Sequence, residues 1–135
     1  MIKLTSFALI AVLTCAAVPA SAKPHLRDVP EIENGLFAVA IADEIRDNCG
    51  SISARMVRAL GTLQGLKSRA NSIGYSDSEI RAYIESDTEK ARMRKKGEAF
   101  LRQNGVSYSN PETFCAFGRK EIAKGSAIGT LLKAR

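Results

Sequence analysis

Between positions 52 and 73 the apolar residues Ile52, Met56, Leu60, Leu63, Leu66, Ala70 and Ile73 recur at steps of three or four. That spacing puts all of them on one face of a helix of about six turns, which must bury the face against other elements. Gly74 stops the pattern, as glycine does just past a helix end. No segment alternates with period two and no two-residue hairpin signal occurs, so essentially no sheet is expected. The expected fold class is all-α, a small antiparallel bundle of four to five helices.

The neighbouring segments extend the same reading. Leu36, Phe37, Ala40, Ile41 and Ile45 mark one face of a helix ending near Asn48, and Cys49-Gly50-Ser51 reads as the turn that follows. Ser76 and Glu79 form a capping box, with Tyr75 and Ile80 as its hydrophobic staple, at the start of a helix expected to run to Asn104-Gly105. Ile80, Tyr83, Ile84 and Ala91 mark its first buried face. Met93, Gly97 and Phe100 lie on another, which places a bend or a change of partner near Gly97. Asn110-Pro111-Glu112 opens a further helix with Asn as cap, and Phe114, Cys115, Gly118 and Ile122 share its inner face. Gly125-Ser126 closes it and can cap a last short helix carrying Ile128, Leu131 and Leu132.

The ends of the chain bear on where it works. Lys3, an apolar run from Phe7 to Val18 and the small residues Ala20-Ser21-Ala22 have the layout of a cleaved secretory signal over residues 1–22, with cleavage between Ala22 and Lys23. The apolar run is shorter than the roughly 20 residues a membrane span needs, and no transmembrane segment is expected in the mature chain. Cys15 stands where a lipoprotein would carry its lipid, but Thr14 before it is not the usual small residue, and simple cleavage after Ala22 is the preferred reading. Residues 23–33, with Pro24 and Pro30 among charges, read as an irregular arm, and 34–135 as the helical domain. Export leaves two cysteines, Cys49 and Cys115, and an even pair in an oxidising compartment reads as a disulfide. The expected localisation is the periplasm, or secretion beyond it.

The segments Ile45-Arg46-Asp47-Asn48-Cys49, Gly74-Tyr75-Ser76-Asp77-Ser78-Glu79-Ile80 and Asn110-Pro111-Glu112-Thr113-Phe114-Cys115 resemble those of a family of short exported alphaproteobacterial proteins known only as a domain of unknown function. The tail from Glu121 through Leu132 is similar as well. The resemblance covers nearly all of the mature chain. It implies export and an all-helical domain with paired cysteines, and it brings no activity, ligand or catalytic residue.

No catalytic, cofactor-binding or metal-binding residues are expected. His25 would be the third mature residue, but Pro24 before it lacks the amide proton that an amino-terminal copper site must lose. No Gly-x-Ser-x-Gly elbow is present, and no histidine lies in the folded body. Glu85 with Glu89, and Asp43 with Asp47, are each one helical turn apart and read as solvated pairs with ordinary pKa values. Lys90, Arg92, Arg94, Lys95 and Lys96 form the densest basic run. On a helix they spread around most of the circumference, so they read as a solvated face, with contact to an anionic lipid or glycan surface as the alternative. Nucleic acid is not an expected partner, since no aromatics interleave with the basic residues. Gly61 and Gly65 could admit a close helix neighbour, and ordinary packing is the preferred account. The leading function is a non-enzymatic exported protein that binds or stabilises an unknown partner in the cell envelope. The alternatives are a small envelope hydrolase using carboxylates and a binder of anionic surfaces.

Overall fold

The computed structural model describes residues 22–135, so the segment read as a secretory leader, with Cys15, lies outside the described residues apart from Ala22. Five helices carry the fold: α1 (Pro30–Asn48), α2 (Met56–Ser72), α3 (Asp77–Glu85), α4 (Asp87–Gln103) and α5 (Glu112–Lys124). Single 3-10 turns occur at Leu26–Asp28 and Gly129–Leu131, and two short strands, β1 (Ile52–Ala54) and β2 (Leu132–Ala134), pair antiparallel. The all-α class stands, with this small sheet as the exception.

α1 is the central element. Its residues Ala38, Ile41, Ala42 and Ile45 enter the larger core with Leu101 of α4, Phe114 and Phe117 of α5, and Leu131 and Leu132. Its first turn, with Ile32, enters a smaller core with Leu26, Val29, Ala70 and Ile80. The segment read as an irregular arm is therefore structured: Pro30 occupies the first helical position of α1, and Leu26 and Val29 are buried. Proline's fixed φ starts a helix well, and three apolar side chains supply the burial that holds it.

Three helix boundaries differ from expectation. Ile52 shares the helical spacing of α2 but belongs to β1, paired with Ala134, and is 1% exposed. It packs against α5 at Gly118, where an added Cβ would lie 2.5 Å from its Cδ1. The strand is too short for a period of two to be visible, and burial against α5 outweighs the continuing helical spacing. The long third helix breaks at Ser86 and does not bend near Gly97; the change of packing partner along its length is observed, Ile80 entering the smaller core and Phe100 and Leu101 the larger. Ser86 ends α3 with an extended backbone and caps α4 by accepting a hydrogen bond from the Glu89 amide at 3.3 Å. Ser86 and Glu89 have the same spacing as the Ser76 and Glu79 box, so the signal was in the sequence. Gly97 instead lies in unbroken helix, close to Ile41 of α1. Ile84 and Ala91, expected on the buried face, are exposed. At α5, Asn110 makes no side-chain cap; Thr113 turns back to accept from the Ser107 amide and donate to the Asn110 carbonyl.

The last short helix expected to carry Ile128, Leu131 and Leu132 is reduced to the single 3-10 turn Gly129–Leu131, because Leu132 is drawn into β2 opposite Ala54 and fully buried. The remaining cap signals are observed. The capping box at Ser76 and Glu79 is complete, and Gly125 ends α5 in the left-handed conformation. Ser126 accepts from the Gly129 amide at 3.0 Å, capping the last turn. Gly129 is irreplaceable on steric grounds, because a Cβ there would overlap the backbone carbonyl of Glu121.

Candidate functional site

The cysteine pair forms the first feature. Cys49, in extended backbone just past α1, is disulfide-bonded to Cys115 in the opening turns of α5, with Cα atoms 5.2 Å apart across 66 residues of chain. Both are buried. Ser51 lies beside the bond, 3.2 Å from the Cys49 sulfur. The bridge fixes the start of β1, so it also fixes how α2 leaves the core.

The second feature is an ionic seam between α1 and α4. Glu89, Arg92 and Lys96 follow one another at spacings of three and four on α4, which brings Arg92 and Lys96 to Glu33 in the first turn of α1 and Glu89 to Arg27 in the turn before it. Arg92 grips Glu33 with two parallel hydrogen bonds of 2.9 Å, and Lys96 adds a third of 2.9 Å. Glu89 accepts from Arg92 at 2.9 Å and pairs with Arg27. The Arg92 hydrogen bond, with help from Lys96, outweighs burial and lowers the Glu33 pKa to about 2. Burial pushes Glu89 up, yet the Arg92 hydrogen bond and the charges of Arg27 and Arg92 leave its pKa lowered. These carboxylates hold their charge and have their oxygens occupied. They act as a clamp, not as a proton acceptor tuned near neutral pH.

The basic run therefore divides. Arg92 and Lys96 turn inward to the seam, while Lys90, Arg94 and Lys95 are exposed. Glu89, read as a solvated acid, is buried, whereas Glu85 is exposed. Asp43 and Asp47 both lie against Arg46, at 2.6 and 3.0 Å. Beside the seam, α1 and α4 enclose a groove of about 420 Å³ that includes Leu36, Ala40, Tyr83, Met93 and Tyr108. Tyr108 donates to Glu44 at 2.9 Å, and burial with that bond pushes its phenol up to about 12. Among the described residues no group of three or more His, Cys, Asp or Glu could hold a metal ion. No helix among them is long and apolar enough to cross a membrane.

The third feature is the outer side of α2. Only part of its apolar stripe reaches the core. Ala70 is buried and Leu66 meets α1 at Gly35, where a Cβ would lie 2.6 Å from the Leu66 side chain. Met56, Val57 and Leu60 are 54%, 88% and 61% exposed. Arg55, Arg58 and Lys133 border the same shallow depression as Met56 and Val57. Gly61 and Gly65 have open space where a side chain would stand, so neither serves a packing contact within the chain.

These features define a disulfide-bridged helical domain whose titratable core groups are clamped and whose one long apolar stripe is half uncovered. The chain belongs to a family of unknown function, DUF5333, whose model matches residues 24–133. No curated protein and no solved structure matches it.

Proposed function

We propose that this protein is a non-enzymatic, exported binding domain of the cell envelope, and that it engages its partner through the outer face of α2. The observation that carries this reading is the exposure of Met56, Val57 and Leu60 at the start of a helix whose entry is fixed by the nearby disulfide. Exposed large apolar residues grouped together are characteristic of interaction sites. The leader layout and the bonded cysteine pair support export to an oxidising compartment. A binding role is favoured over a hydrolytic one because Glu33 and Glu89 are committed to ion pairs.

The test is site-specific photo-crosslinking in the native host, with the photoreactive residue at position 57 and, as control, at the exposed Ala123 of α5. The expected outcome is a crosslinked envelope component from position 57 alone, on a protein whose intact mass shows it begins at Lys23. Recovery from the cytoplasm with the leader intact, or identical crosslinking at both positions, would overturn the reading.

A further inference from the structure

Taking that envelope reading as its base, we propose that the start of α2, together with β2, is a docking surface for an anionic phospholipid bilayer. The argument is one of charge and apolarity on a single face. Between Asp47 and Asp77 the chain has no acidic residue but carries Arg55, Arg58, Lys67 and Arg69; after Glu121 it has none but carries Lys124, Lys133 and Arg135. Strand pairing joins the two acid-free stretches, setting Lys133 opposite Ser53, with the Arg135 amide donating to the Ser51 carbonyl at 2.9 Å. Arg55, Arg58, Lys133 and Arg135 enter no ion pair among the described residues. On the α1 side of this face Met56 and Leu60 border a groove with Asp43 and Arg46, and Arg46 pairs with both Asp43 and Asp47.

A cluster of cations outside any ion pair around projecting Met56 and Val57, with exposed Leu60 one turn on, is complementary to a surface with fixed negative charge outside and hydrocarbon just beneath. A second copy of this chain would bring like charges together, which disfavours self-association through this face. Arg55 donates to the Leu132 carbonyl at 3.0 Å and serves the fold, so Arg58 and Lys133 are the positions to alter.

The experiment is co-sedimentation of the protein, expressed with its own leader and purified in its processed form, with vesicles of phosphatidylglycerol and phosphatidylcholine or of phosphatidylcholine alone. Binding is expected only to the anionic vesicles and to weaken with added salt. The double change Arg58→Glu and Lys133→Glu should reduce it about tenfold or more, and Val57→Ser should reduce it without changing net charge. Arg94→Glu with Lys95→Glu, the same charge change on α4, should leave it intact. Circular dichroism melts confirm that each variant is folded. Equal binding to both vesicle types, persistence in the Arg58 and Lys133 variant, insensitivity to Val57→Ser, or a dimer that Val57→Ser dissolves would each overturn the proposal. A crosslink from position 57 to a protein, without vesicle binding, would defeat this inference alone and leave the envelope-binding reading standing.

Discussion

Glu33 is 8% exposed and has both oxygens engaged by Arg92 and one also by Lys96. Its folded pKa, about 2, lies below the ordinary 4.5. The seam's contribution is therefore fully present above about pH 4.5 and is lost as pH falls through 2. Glu33→Gln should lower stability at neutral pH by about 1–2 kcal/mol, since it leaves two partly solvated cations facing a neutral amide. It should also flatten the fall in stability between pH 5 and pH 2. Urea unfolding across that range, wild type against variant, checks both. Nothing in the sequence distinguishes Glu33 from the other charges of the segment read as an irregular arm, because its partners lie 59 and 63 positions away.

At the scale of elements, the break at Ser86 shows a local cap prevailing over apolar spacing that runs on through Ile84 and Ala91. Ser86→Ala removes the side-chain acceptor for the Glu89 amide and should destabilise the protein by about 1 kcal/mol. Amide hydrogen exchange should quicken first at Glu89. The box at Ser76 was legible because both of its halves are used: Glu79 accepts from the Ser76 amide at 2.8 Å. At Ser86 only the serine half forms, since the Glu89 side chain is drawn away to Arg27 and Arg92.

For the whole molecule, the Cys49–Cys115 bond closes a loop that includes β1, α2, α3 and α4. By the chain-entropy model a loop this long stabilises the fold by about 4 kcal/mol, a large part of the roughly 5–15 kcal/mol typical of a domain. Replacing both cysteines by Ala should lower the guanidinium midpoint sharply while far-ultraviolet circular dichroism keeps its helical shape. The earliest loss should be the β1–β2 pairing, which starts three residues from Cys49. An unchanged midpoint would mean that the core of α1 and α5 alone sets the stability.

The helical class, the caps at Ser76 and Gly125 and the cysteine pair were readable because each depends on neighbours along the chain or on an even count. Periodicity showed that α2 had an apolar stripe, but it could not show what would cover it. Only the tertiary arrangement decided that Leu66 and Ala70 of the stripe are covered and Met56 and Leu60 are not. It also decided that Arg92 and Lys96 of the five-residue basic run turn inward, and that cations unpaired among the described residues gather beside β2. Spacing specifies which side chains share a face. Which faces meet depends on contacts between residues far apart in sequence, and those come into being only when the chain has closed on itself.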